Sequence, residues 1–211
     1  MSSVAPDGYN PDPTHCHDEG MSTGLAALTW PLHTDRLTLR PATTDDTDAT
    51  WRFRRREDVS RWTTRAPATL DEHRAWFEAP DSLARTLVIE RGGAVIGDLM
   101  VKIEDAWAQA EIVERARSAQ AELGWVLDPE QVGHGYATEA VRELLRLCFK
   151  DLGLHRVTAT CFAANDASWR LMERVGMRRE FYTVRDSLHR SGEWLDCLGY
   201  ALLADEWRSS A

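Results

Sequence analysis

No stretch of this chain stays apolar for the roughly 20 residues that a helical membrane span requires. Its opening, "MSSVAPDGYNPDPTHCHDEG", has neither the basic start nor the apolar segment of a secretory signal, so a cytoplasmic location is expected. Paired cysteine spacing is missing too. Cys16, Cys148, Cys161 and Cys197 are far apart, and three of them fall in apolar stretches where a reduced cysteine acts as a small hydrophobe. That usage fits a reducing compartment. A basic excess is also lacking: 25 Lys and Arg against 34 Asp and Glu leave a net charge of -9. Broad nucleic-acid binding needs a basic face and is not expected; a cationic substrate is mildly favoured. There are no internal repeats.

What is present suits one soluble domain. The 211 residues are 43% hydrophobic and 28% charged, enough for a proper core. Residues 1–28 are rich in Pro, Gly, Asp, Ser and His without hydrophobic periodicity, and are expected to be a disordered leader ahead of a single domain at 29–211. The "HCHDEG" run at 15–20 crowds its polar groups within a few residues of such a segment, so it reads as solvated tail and no metal is expected.

Within the domain, Leu37 and Leu39 alternate with polar neighbours as in a half-buried strand, and Pro41 ends it. Thr caps followed by acids open helices after residue 43 and at Thr69. Gly92-Gly93 joins strands near 85–91 and 94–103 into a hairpin. Residues 105–120 fit either a helical insertion or a long loop. A strand at "AELGWVL" is followed by a helix with one apolar stripe, Ala137, Ala140, Val141, Leu144, Leu145 and Cys148. "HRVTATCF" is a β-branched strand, "NDASWRLMERVGM" a helix capped by Asn165 or Asp166, and two strands near 177–185 and 194–203 close the chain. The order implies an α/β (α+β mixed) fold, a twisted mixed β-sheet with helices on both faces.

The strand-to-helix junction at Gly133-His134-Gly135 raises the functional question. Helix N-termini expose unpaired N–H groups and a partial positive charge, and glycines let backbone approach an anion. Two phosphate motifs are excluded. Tyr136-Ala137-Thr138 stands where a triphosphate loop needs Gly-Lys-Ser/Thr. Thr138 also occupies the last small-residue place of the dinucleotide fingerprint, and residues 155–162 supply no acid for a ribose. A tight turn without ligand and a cradle for some other pyrophosphate are the readings left.

"VGHGYATEA" at 132–140 resembles the coenzyme A pyrophosphate loop of the GNAT N-acetyltransferase superfamily, with Gly135 and Ala137 in its last two defined places. Val132 stands in the first place, a departure shared with the ribosomal-protein alanine/serine N-terminal acetyltransferase branch. "TDRLTLRPAT", "AELGWVLDP", the Asn-x-x-Ser of "NDASWRLMERVGM" and "GEWLDCLGYALLADEW" are similar to further motifs of that branch, over about residues 33–208. The resemblance implies a GNAT-like sheet with a splayed strand pair, acetyl-CoA as co-substrate and no metal.

It also implies roles. Backbone groups of Val132, Gly133, His134, Gly135, Tyr136, Ala137 and Thr138 would meet the pyrophosphate, and those of Trp125, Val126 and Leu127 the pantetheine arm, added like a strand. Asn165 would contact that arm or serve only as a cap. Ser168 would lie near the sulfur as a proton donor, with Tyr182 a second candidate acid. Glu122 is either the base, acting through water, or an exposed strand-edge glutamate. Trp51, Trp62 and Trp76 lie on the acceptor side in this family, in a pocket or in the core. The acceptor would be a protein N-terminus or a small-molecule amine, with no nucleic acid or membrane partner, on a monomer or homodimer. A sensor or scaffold that binds acyl-CoA without catalysis is the competing reading.

Overall fold

The computed structural model describes residues 21–210, with side chains from 24 to 208. Eight strands form one sheet: β1 (Leu32–His33), β2 (Thr38–Pro41), β3 (Thr86–Arg91), β4 (Ala94–Glu104), β5 (Gln120–Leu127), β6 (Arg156–Phe162), β7 (Arg178–Leu188) and β8 (Trp194–Leu203). They lie in the order β1-β2-β3-β4-β5-β6-β8-β7. Only β5 and β6 run parallel; every other neighbouring pair is antiparallel.

Strand residues point alternately to opposite faces, so the sheet has two cores. Leu99, Val101, Ala121, Leu123, Val157 and Ala159 pack under α6 (Tyr136–Arg146) and α7 (Asp166–Arg174). The α6 stripe delivers its side to this core: Ala140, Val141, Leu144, Leu145 and Cys148 are all buried, with Ala137 packed at the margin. Val88 and Val126 face the other way and meet Phe53 of α2 (Thr47–Arg54) and Phe77 of α4 (Leu70–Phe77). Thr69 caps α4 by accepting from Glu72 N at 3.2 Å, as its sequence signature suggests. The short helices α3 (Glu57–Ser60) and α5 (Pro80–Ala84) lead into and out of this layer, and α8 (Ala204–Ser210) follows the last strand. Residues 105–119 are a loop with a 3-10 turn at Ala110–Ala116 rather than a helical insertion.

The expected boundary at residue 28 needs correction. Residues 1–20, including the His-Cys-His run, lie outside the described residues, but Met21–Ala26 forms a helix, α1. Leu25 is buried in the main core, and Leu28 and Trp30 pack against it. Trp30 Nε1 donates to Leu25 O at 3.0 Å, and a Cβ added to Gly24 would come within 2.7 Å of Ile103 Cδ1. One helical turn is too short to display periodicity, which is why composition alone missed it. A chain beginning at Met21 is expected to melt about 2–4 kcal/mol more stably than one beginning at Thr29, the scale of burying one or two leucines. Equal thermal stability of the two would return the boundary to residue 28.

Candidate active site

Between β5 and β6 the sheet comes apart. The two strands pair only at Gln120–Arg156, Ala121–Val157 and Glu122–Thr158. Meanwhile β4 stays paired with β5 as far as Leu127, and β8 with β6 as far as Phe162. Beyond Glu122, the edge of β5 that faces β6 therefore offers backbone groups with no strand partner, which demand another. A cleft of about 1490 Å³ opens from this gap.

Trp125, Val126 and Leu127 line the cleft along the free edge, and Val132, Gly133, Gly135, Tyr136, Ala137 and Thr138 line it at the start of α6. Gly133 and Gly135 have φ of 89° and 80°, the left-handed region that side chains resist. As a glycine, the N-cap Gly135 has no side chain to cap the helix. The first N–H groups of α6 thus keep the unpaired state that helix geometry gives them, whereas Thr69 and Asn165 cap their own helices.

Sequence reasoning missed what holds this loop in place. Arg36 donates through Nη1 to His134 O at 2.9 Å and through Nε to Glu139 Oε2 at 2.7 Å. Thr34 Oγ1 and Arg36 N both donate to Glu139 Oε1, at 2.5 and 3.0 Å. Burial opposes ionisation of Glu139, but the hydrogen bonds from Thr34 and Arg36 outweigh it and hold the carboxyl below its ordinary pKa. The Arg36 guanidinium also sits 4.7 Å from the centre of the buried Tyr136 ring. An interaction between residues 103 apart leaves no periodic trace; only the Arg flanked by strand residues was there to notice.

Glu122 sits at the last paired register of the gap, half-buried, with Thr160 Oγ1 3.5 Å from its Oε1. Asn165 caps α7, its Oδ1 accepting from Ser168 N at 3.4 Å. Cap and cleft wall are therefore one residue, because Asn165 and Ser168 both line the cleft. Among the described residues the Ser168 hydroxyl has no hydrogen-bond partner.

Two of the expected site residues, His134 and Tyr182, are not among those that line the cleft. His134, expected to act through its backbone, accepts from Arg36 at its O, and its exposed ring stands 5.5 Å from that of Tyr136. Tyr182 lies exposed on β7, which reaches the cleft lining at Ser187 and Leu188 instead, and it donates its hydroxyl proton to Asp196. That bond is the main cause raising its pKa.

On the other side of the gap, Trp62, Trp76, Phe162 and His189 wall the cleft. The rings of Trp62 and His189 lie 6.1 Å apart, and His189 Nε2 donates to Arg61 O at 2.8 Å, drawing the β7–β8 turn over the segment after α3. Trp51 instead packs beside the buried His73, with ring centres 5.5 Å apart. Arg54 and the buried Asp98 form an ion pair in the cleft wall, with Arg54 Nε 2.7 Å from Oδ2.

His73 lies behind this wall, fully buried, with Nε2 2.9 Å from Thr50 Oγ1 and no partner for Nδ1 among the described residues. Burial, then the Arg54 charge, pushes its pKa down to about 4. The unfolded histidine, near 6.5, takes up a proton that the folded one refuses. Stability is thus complete above about pH 6.5 and declines as pH falls toward 4. His73→Phe is expected to flatten the pH 4–6.5 part of a melting-temperature profile by roughly 2–3 kcal/mol; an unchanged slope would show that His73 is not its source.

The described residues contain no helix long and apolar enough to cross a membrane, and no group of three His, Cys, Asp or Glu placed to hold a metal. Comparison with known proteins matches residues 36–178 to the acetyltransferase (GNAT) domain. The N-acetyltransferase YnaD of Bacillus subtilis, itself uncharacterized, is 42% identical over 86 residues, covering 41% of this chain and 50% of that relative. The chain thus matches about half of YnaD's length. A GNAT-family acetyltransferase from Bacillus anthracis superposes with a TM-score of 0.70 at 28% identity, covering 83% of this chain and 99% of that one. RimJ of Mycobacterium smegmatis, solved in complex with CoA-disulfide, gives 0.66 at 26% identity, covering 81% and 83%. Splayed strands, uncapped glycine-opened helix and matched domain agree: the chain belongs to the GNAT acetyltransferase family.

Proposed function

We propose that the protein transfers an acetyl group from acetyl-CoA to a primary amine, which attacks the thioester directly. The observation that carries this reading is the coincidence, in one cleft, of an unpaired strand edge with an uncapped, glycine-opened helix N-terminus. The residues fit the co-substrate: N–H groups of 133–138 suit a pyrophosphate, and the free edge of Leu123–Leu127 suits an amide-bearing arm. Acetyl-CoA would supply the activated acetyl group; the chain supplies placement and proton transfers.

A protein α-amino group, with a pKa of about 7.7–8.0, is roughly a tenth or more neutral near pH 7, whereas a lysine near 10.4 is almost wholly charged. A modest base therefore suffices for an N-terminus, and Glu122 would accept the proton through a water. A β5 N–H would steady charge developing on the carbonyl oxygen, and the Ser168 hydroxyl would protonate the departing thiolate. The cleft cysteines support direct attack. Cys161 is pushed up to about 12, by burial first and then by Cys197, and burial raises Cys197 as well. Neither is a ready nucleophile at neutral pH.

The acceptor is a protein N-terminus or a small-molecule amine. A scaffold that only binds acyl-CoA is less well supported, since Glu122 and the unpartnered Ser168 hydroxyl both line the cleft. Thiol release from acetyl-CoA, measured across a panel of N-terminal peptides and amine antibiotics, is the test. Acceptor-dependent release with some member is expected; binding of acetyl-CoA with no release from any would favour the scaffold.

A further inference from the structure

Whole-chain charge and cleft charge have opposite signs. The chain carries -9 overall, but the cleft is lined by seven Lys and Arg residues, Arg61, Arg65 and Arg85 among them, against the acids Asp58, Asp98 and Glu122. Two of those acids are already spent on arginines, Asp98 on Arg54 and Asp58 on Arg56. Lys102 is paired with Glu104. Arg61 and Arg65 have no ion pair among the described residues, and Arg85 has neither ion pair nor side-chain hydrogen bond there, although it is half-buried. A half-buried guanidinium with five donors and no acceptor calls for an anion.

Its position sets the distance. Arg85 O accepts from Val101 N at 2.8 Å, and Val101 pairs with Leu123, the residue after Glu122. Arg85 is thus two strands from the free edge, roughly 10 Å at the usual strand spacing. An extended peptide covers that span in about three residues.

We propose that the acceptor is an amine carrying carboxylate groups about two or three residues from its nitrogen, with Arg85 as the residue that selects them. The proposal rests on the acetyltransferase reading and deepens it. The whole-chain charge suggests cationic acceptors, but the local field at the cleft disfavours a polyamine or other polycation, because like charges repel at close range.

The test uses three peptides identical except for glutamate, glutamine or lysine at the second and third positions, with free glutamate and a short alkyl diamine as small-molecule arms. Acetylation is read by thiol release and product mass. The glutamate peptide is expected to exceed the glutamine peptide in kcat/KM by about tenfold, and the lysine peptide by more, with the gap shrinking as salt is added. Turnover of free glutamate comparable to that of the glutamate peptide would overturn the inference, because its carboxylates lie within a few bonds of the nitrogen and cannot span the distance to Arg85. Arg85→Ala should bring the glutamate-to-glutamine ratio close to one, and Arg85→Lys should restore part of it. The acetyl-CoA-induced rise in melting temperature shows that each variant is folded. Preference for the lysine peptide or the diamine, or an unchanged ratio in Arg85→Ala, overturns the inference while leaving the acetyltransferase intact. Absence of turnover with every amine, despite binding of acetyl-CoA, overturns both.

Discussion

Gly135→Val is expected to remove the rise in melting temperature that acetyl-CoA gives the wild-type chain. Gly135 caps α6 at φ 80°, and an added Cβ would meet only Arg36 Nη2, at an ordinary 3.6 Å. Crowding inside the free protein is therefore not the problem. A β-branched residue in the left-handed region costs about 1–3 kcal/mol of backbone strain, which lowers the starting melting temperature without unfolding the domain. The loss of binding is separate: the new side chain occupies the approach to the N–H groups, and relief of the strain turns them away. At a ligand concentration of 100 times Kd the wild type gains about 2.7 kcal/mol, and the variant should gain none. A normal ligand-induced rise on a lowered baseline would remove the cradle from residues 133–138.

Glu122→Gln carries the other large effect, and its size should depend on pH. The substitution keeps shape and the contact with Thr160 but cannot accept a proton. At low pH, where nearly all of the amine is protonated, the loss should reach the 10²–10⁴-fold range, roughly the usual contribution of a general base. As pH rises toward the amine pKa, more acceptor is neutral without help and part of the rate returns. Ser168→Ala should lower turnover with little pH dependence, because thiolate departure needs a nearby proton and not a titrating base. Wild-type turnover by Glu122→Gln at pH 6 would leave the carboxylate as a strand-edge residue only.

How far the sequence reveals this arrangement depends on the range of each interaction. The Gly92-Gly93 hairpin, the α6 stripe and the Thr69 and Asn165 caps are local patterns, and each stands where periodicity and capping rules put it. Glu122 and Ser168 were named through a family likeness, and the structure brings them to one cleft because the β5–β6 pairing stops at Glu122. Strand order within a sheet is not periodic information: β8 inserts between β6 and β7, and β7 reaches the cleft lining at Ser187 and Leu188 rather than at Tyr182. Packing of Leu25 into the main core, the Arg36–Glu139 brace and the Arg54–Asp98 pair depend on residues far apart in the chain. Net charge does not say where charges sit: a chain that carries -9 overall lines its cleft with Arg61, Arg65 and Arg85, which have no ion pair among the described residues.

The central claim is direct transfer within the β5–β6 cleft. Its most direct measurement is the mass of the protein after incubation with acetyl-CoA alone, followed by addition of an acetyl-accepting amine from the panel. The account predicts an unmodified protein in the first stage, and in the second one free thiol and one acetylated amine per acetyl-CoA consumed. A protein that becomes acetylated on Cys161 or Cys197 in the first stage and passes that group to the amine in the second would contradict it.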